Sequence, residues 1–246
     1  MSVYNIISNN KADGKRMFAV LADPDKYSKI KAAEIATLCL KANVDLILVG
    51  GSLLTTNNLE SCIAAFRENC NIPILLFPGG VMQINPSADG IMLLSLISGR
   101  NPDMLIGKHV ESACLIRQSG LEVIPTGYML IDGGSFTSVQ YISNTMPIPS
   151  GKEDIAISTA IAGEMLGLKM IYLEAGSGAV RPVAPSVISA VSKAVKIPVM
   201  AGGGICTAES AVNACKAGAD IIVAGNIFEK KPDLIGRLAD AVHKLK

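Results

Sequence analysis

The chain has 246 residues, half of them apolar and 17% charged, with a formal net charge of +1. That composition fills a sizeable core and excludes a disordered chain. The near-neutral balance gives no reason to expect a nucleic-acid partner, so any basic pocket must be local. The length suits one α/β barrel domain spanning 1–246, since such barrels typically run to about 250 residues.

Residues 1–16 are polar and mixed in charge, without the apolar segment of a signal peptide. No run reaches the ~18 apolar residues of a membrane span, so no transmembrane segment is expected. From there on, eight short apolar runs succeed one another, at 17–22, 45–49, 74–77, 90–95, 121–126, 169–174, 197–201 and 220–224. Each is too short for a helix and rich enough in Ile, Val, Leu or Met to be a parallel strand buried on both faces. Helical patterns follow at 28–42, 56–70, 103–119, 153–166, 184–195, 207–217 and 232–244. Thr207 can cap the helix it opens, Glu209 complements the dipole, Gly218 ends that helix, and Pro185 and Pro232 suit first turns. Strand and helix in alternation, eight times in so short a chain, predict an α/β (β/α)8 TIM barrel, with an open doubly wound sheet as the alternative.

Two stretches break the alternation. Residues 78–89 hold two glycines, two prolines and no periodic face, which is too little for a helix and two loops, so the third helix is expected to be missing. Residues 127–151 form a long Gly-, Pro-, Ser- and Thr-rich segment of the kind that serves as a lid or binding loop, within which 128–131 and 138–142 read as small extra strands. The six cysteines (Cys39, Cys62, Cys70, Cys114, Cys206 and Cys215) form no CxxC pair and read as reduced, buried thiols of a cytoplasmic protein.

In a barrel the strand C-termini point to the catalytic face. The sixth run ends in Tyr172-Leu173-Glu174-Ala175-Gly176-Ser177-Gly178, the seventh in Gly202-Gly203-Gly204-Ile205, and the eighth in Ala224-Gly225-Asn226. Glycine lets backbone N–H groups approach an anion without a Cβ clash, so three such turns in register predict a phosphate site. Tyr172 and Glu174 are two apart and share a strand face. Glu174 there either holds or deprotonates a substrate hydroxyl, or is a structural carboxylate held by backbone amides. The first run ends in Leu21-Ala22-Asp23-Pro24-Asp25-Lys26 and the second in Val49-Gly50-Gly51-Ser52. Asp23 and Asp25 are candidate Mg²⁺ ligands, with a turn or capping role as the alternative for Asp23 and more so for Asp25, and Ser52 can offer its hydroxyl to the same ion. His109 reads as a packing or surface residue, His243 as an exposed one. With two histidines and no HxH or HExxH spacing, zinc is not expected, nor are a serine hydrolase or a P-loop enzyme.

These strings resemble the geranylgeranylglyceryl phosphate synthase family, including bacterial relatives that make prenylglyceryl phosphates. Tyr172 to Gly178 is the most specific of them; Phe77-Pro78-Gly79 also takes part. The resemblance implies a barrel lacking its third helix and transfer of a prenyl group, probed first with geranylgeranyl diphosphate, to the 3-hydroxyl of sn-glycerol 1-phosphate with Mg²⁺. It implies that Asp23 and Ser52 hold the metal. It further implies that Tyr172, Leu173, Glu174, Ala175, Gly176, Ser177, Gly178, Gly203, Gly204, Gly225 and Asn226 bind the glycerol phosphate. It also implies a homo-oligomer, a dimer or a hexamer. Tyr141, an aromatic within 127–151, either packs down on its own barrel or anchors a neighbouring subunit. Some members carry a lysine just before the first aspartate. Leu21 and Ala22 stand there in this chain, so a cation must come from elsewhere, with Lys26 and Arg100 as candidates. Another phosphate-binding barrel enzyme, of the sugar-phosphate isomerase or thiamine phosphate synthase type, is the rival. The groove for the tail is expected at the wall that the missing helix leaves open.

Overall fold

The apolar runs become strands because nearly all of their side chains are buried in the barrel or under the helices. In the computed structural model, which describes residues 2–245, these are β1 (Met17–Ala22), β2 (Leu46–Val49), β3 (Ile74–Leu76), β4 (Gly90–Leu96), β5 (Glu122–Leu130), β6 (Met170–Glu174), β7 (Val199–Gly202) and β8 (Ile221–Ala224). They pair in parallel in chain order, and β8 returns to β1, with Phe18 opposite Ile222, so the sheet is a closed barrel and not the open alternative. Alternate side chains point inward, where Met17, Leu48, Met92, Ile124, Tyr172 and Met200 share one cluster. The intervening Phe18, Ile47, Ile91, Ile171 and Leu173 face outward into the larger cluster formed with the helices.

The covering helices are α2 (Lys29–Lys41), α3 (Leu59–Asn69), α4 (Lys108–Ser119), α6 (Glu153–Met165), α7 (Pro185–Ala194), α8 (Ala208–Ala217) and α10 (Leu234–His243). Their ends follow the expected caps. Ser28 and Thr207 accept N–H bonds at N-termini, Pro185 opens α7, and Gly218 takes a left-handed φ of 115° after α8. Between β3 and β4 only a 3₁₀ turn, Val81–Gln83, stands where a third barrel helix would lie. A single π-helical turn, Asp103–Gly107, leads into α4 on the far side of that opening.

Several expectations are corrected. The polar N-terminal segment, for which no helix is expected, forms one: α1 (Val3–Ala12) lays Val3 and Ile7 into the inner cluster beside Met17 and Leu46, closing the barrel at its N-terminal end. Residues 128–130 are not a separate strand but the continuation of β5, which carries nine residues through Pro125 and Gly127. Residues 138–142 are not a strand either. They lie in α5 (Ser138–Ser143), which Thr137 and Gln140 nucleate as a capping box. After β8 the chain makes α9 (Asn226–Lys230), a helix too short to show in the pattern. Cys39, Cys62 and Cys215 are buried as expected, but Cys114 and Cys206 are exposed. No helix among the described residues is long and apolar enough to cross a membrane.

Candidate active site

At the C-terminal end of the barrel the strand ends open into a depression of about 2100 Å³. Its wall brings together Asp23, Ser52, Tyr172, Glu174, Gly176, Ser177, Gly178, Gly203, Gly204, Gly225 and Asn226. Two expected residues are absent from that wall. Leu173 and Ala175 turn their side chains outward into the helix-facing core, so only their backbone belongs to the turn.

Glu174 sits at the end of β6, paired with Leu130 on one side and Gly202 on the other. It is buried, and its carboxylate accepts the Gly176 N–H at 2.7 Å. Burial raises its carboxyl above the ordinary range, against the pull of the nearby Tyr172 phenol and the Gly176 amide. The Tyr172 hydroxyl is buried beside it and, among the described residues, meets no partner at full hydrogen-bonding geometry. A carboxylate with one amide bond and an unsatisfied phenol at its side is a polar pair left open to a ligand.

The glycines are needed where the turns crowd one another. Gly203 has a φ of 77°, and a Cβ on it would lie 2.6 Å from the Gly176 nitrogen and 2.8 Å from that of Ala175. The turns after β6 and β7 therefore touch backbone to backbone, which any side chain would prevent. Asn226 bridges from the start of α9 to the β6 turn, donating from Nδ2 to Ser177 Oγ at 2.6 Å. Three strand ends thus converge on one small concavity with backbone amides around it, the arrangement that suits a phosphate.

Across the mouth, Asp23 lies over the turn that follows β2. A Cβ on Gly51 would be 3.6 Å from the Asp23 Cγ, and Ser52 is the next residue. Asp23 accepts the Asp25 N–H at 2.9 Å, and its carboxyl is raised mainly by burial. Asp25 has the structural role weighed for it. It accepts Thr55 N at 2.6 Å and Thr56 N at 3.1 Å together with both threonine hydroxyls, and these bonds outweigh burial and hold its carboxyl at about 2. Among the described residues Lys26 is the one lysine or arginine on the wall of the mouth. Arg100 is not there: it donates to Gly99 O at 2.7 Å and lines a separate surface depression beside Asp154.

The opening beside the 3₁₀ turn is an apolar groove of about 830 Å³, walled by Val81, Ile84, Ile91, Leu93, Met104 and Ile116. It shares Gly51, Ser52, Phe77, Tyr128, Val139 and Ile142 with the mouth, so the two are continuous. His109 lines this groove with Nε2 3.0 Å from Leu94 O, a packing role. Sequence reasoning missed Tyr128, Phe136 and Glu229, all on the wall of the mouth. The signal for Tyr128 was available: it is two residues beyond the inward Thr126. Glu229 had none, since it rides on α9.

Residues 10–245 match the PcrB family. The chain belongs to that family. A geranylgeranylglyceryl phosphate synthase of Chitinophaga pinensis is 54% identical over 98% of this chain and 96% of its own length. One of Spirosoma linguale is 51% identical over 97% and 96% respectively. Among solved structures, (S)-3-O-geranylgeranylglyceryl phosphate synthase from Thermoplasma acidophilum, in complex with sn-glycerol-1-phosphate, superposes with a TM-score of 0.94 at 29% identity, covering 99% of both chains.

Proposed function

We propose that this PcrB family chain joins a prenyl diphosphate, geranylgeranyl diphosphate in the first instance, to the 3-hydroxyl of sn-glycerol 1-phosphate. The observation that carries the reading is the order of parts. An apolar groove opens into a polar mouth, and Glu174 stands there beside a three-turn anion cradle. A long hydrocarbon tail and a small phosphate ester need those two environments, joined at one reacting centre. The names of the relatives, and the ligand of the Thermoplasma acidophilum enzyme, support the same reading.

In this reading the turns at Gly176–Gly178, Gly203–Gly204 and Gly225–Asn226 anchor the glycerol phosphate, which sets its far hydroxyl at close range to the allylic carbon. Glu174 orients that hydroxyl and accepts its proton. Asp23 and Ser52 would hold Mg²⁺. Their carboxylate and hydroxyl oxygens are the hard donors it prefers, and one or two protein ligands with substrate phosphates suffice for it. When bound, the ion neutralises charge on the departing diphosphate. Lys26 adds a positive charge on the same wall. The groove keeps water from the reacting carbon. Incubation with sn-glycerol 1-phosphate, Mg²⁺ and prenyl diphosphates of several lengths, followed by mass analysis, should show an ether product and released diphosphate. Absence of that product, or isomerisation of a sugar phosphate instead, would overturn the reading.

We also propose a cytoplasmic, symmetric homo-oligomer, dimer or hexamer, anchored by Tyr141. Tyr141 lies on the wall of the mouth. It is 75% exposed and meets Phe136, itself 72% exposed, edge to face at 6.5 Å. An exposed aromatic pair of this kind is typical of interface centres. Tyr141→Ala should lower the mass measured by light scattering; an unchanged mass removes the anchor, and a monomeric wild type removes the oligomer.

A further inference from the structure

A prenyl tail in the groove and a glycerol phosphate in the mouth can meet only at the passage between them. Six residues line both spaces: Gly51, Ser52, Phe77, Tyr128, Val139 and Ile142. None of the six carries an ionised side chain. The reaction nevertheless builds positive charge at this point. The bond from C1 of the prenyl group to the diphosphate oxygen breaks and its electron pair leaves with diphosphate. The glycerol oxygen then closes a new bond to C1 with its own lone pair, and its proton passes to the Glu174 carboxylate. Between those two events the allylic carbons are electron-poor, and what the passage offers them is π-electron density.

We infer that the ring of Tyr128 is a catalytic group of this site, stabilising the developing allylic cation through its π face; the inference rests on the prenyl-transfer reading above. Tyr128 is an inward residue of β5, set opposite Tyr172 in the register and two residues short of the pairing between Leu130 and Glu174. It is 6% exposed, and that exposure faces the passage. Phe77 and Tyr172 surround it at centroid distances of 5.7 and 5.4 Å, and both meet it steeply, with interplanar angles of 67° and 76°. The two contacts together fix the ring's tilt. The surroundings are the apolar groove on one side and the buried Glu174 on the other, a dry setting in which a cation–π contact is strongest. Phe77 and Tyr172 serve the same ring as positioning residues.

The test separates ring from hydroxyl and from packing. Tyr128→Phe should keep turnover within about 3-fold, because the ring remains. Phenylalanines carrying one, two and three ring fluorines at position 128 then drain the π face while hardly changing its shape. The maximum turnover should fall stepwise with each fluorine, roughly 10-fold across the series, the size that a desolvated cation–π contact supports. The KM for sn-glycerol 1-phosphate and the thermal midpoint should stay constant, which a packing role does not explain. A flat fluorine series in an enzyme that still forms ether product overturns the inference alone. So does a loss of 100-fold or more in Tyr128→Phe, which would place the function in the hydroxyl. A wild-type chain that forms no ether product overturns the prenyl-transfer reading, and this inference with it.

Discussion

The two ends of the barrel use aspartates and glutamates in opposite ways. At the N-terminal end the acids that precede or open the strands are each held by several partners. Asp45 accepts the Phe18 N–H and pairs with His243, both at 2.7 Å. Asp89 accepts the Ile74 N–H and pairs with Arg67, again at 2.7 Å. Asp220 accepts the Val199 N–H at 2.9 Å and two cations, Lys11 at 2.7 Å and Arg16 at 3.0 Å. Glu122 caps α1 through Ser2, Val3 and Tyr4. At the C-terminal end Glu174 and Asp23 have a single backbone N–H each and no ion-pair partner among the described residues. Acids that start strands and cap α1 hold the fold. Acids that end strands are left with free lone pairs, which is what a site for a hydroxyl and a cation requires.

The contrast predicts that substitutions at the two ends fail differently. Glu174→Gln has the largest expected effect on activity, a loss of about 100-fold or more if Glu174 takes the proton. Its thermal midpoint should not drop, because the amide oxygen still accepts from Gly176 and no ion pair is lost. In the wild type, turnover should rise with pH through a value above the ordinary carboxylate range, since burial raises this acid and only its ionised form is a base. Turnover of radiolabelled diphosphate beside a melting curve reads both. A variant that keeps most of its activity makes Glu174 an orienting group only. Asp220→Ala should show the reverse pattern. Removing it strands the Val199 N–H and two cations, and because Lys11 and Arg16 reach solvent the cost should be about 2 kcal/mol. Turnover per folded molecule should be unchanged. An activity loss with stability intact would break the division between the two ends.

Much of this division was legible beforehand. Eight runs of Ile, Val, Leu and Met showed as strands because both of their faces are buried, and a twelve-residue gap at 78–89 could not hold a helix. The turns after β6, β7 and β8 showed because glycine is needed where backbones touch, as Gly203 does over Gly176. What stayed hidden lies where the local pattern is weak or misleading. α1 buries only Val3 and Ile7, too thin a stripe to stand out in a polar segment. Val139, Tyr141 and Ile142 favour a strand, yet the capping box of Thr137 and Gln140 settles α5 as a helix. Pro125 and Gly127 disguise the continuation of β5 beyond Thr126. Leu173 was grouped with the site by its neighbours, though strand alternation turns it outward.

On the open side of the mouth, the comparison can be sharpened with Asp23→Asn. The substitution keeps the shape of the side chain and its acceptor oxygen for Asp25 while removing the charge. The Mg²⁺ concentration for half-maximal turnover should rise roughly 10-fold, the scale on which altered ligand environments move metal affinity. Turnover at saturating Mg²⁺ should recover most of the way, and the thermal midpoint should be unaffected. Full activity at limiting Mg²⁺ would return Asp23 to the turn role.

The smallest effect is a difference in the sign of pH dependence. Glu122 has burial against it, but its bonds from Ser2, Tyr4 and Val3 win and lower its carboxyl. A lowered acid contributes stability above its unfolded value, ~4.3 for Glu, and loses it as pH falls through the folded value. Glu174 is raised, so its term favours the fold below the unfolded value and is lost as pH rises through the folded one. Urea midpoints at pH 7 and near pH 4 should therefore move in opposite senses for the two glutamine variants. Glu122→Gln should lag the wild type most at pH 7, and the gap should narrow on acidification. Glu174→Gln should match or exceed the wild type at pH 7, because it removes a buried charge, and that advantage should close as Glu174 itself takes up a proton. The same trend in both variants would mean that the two ends do not differ in how they hold their acids, and that the open lone pairs at the mouth are not built into the fold.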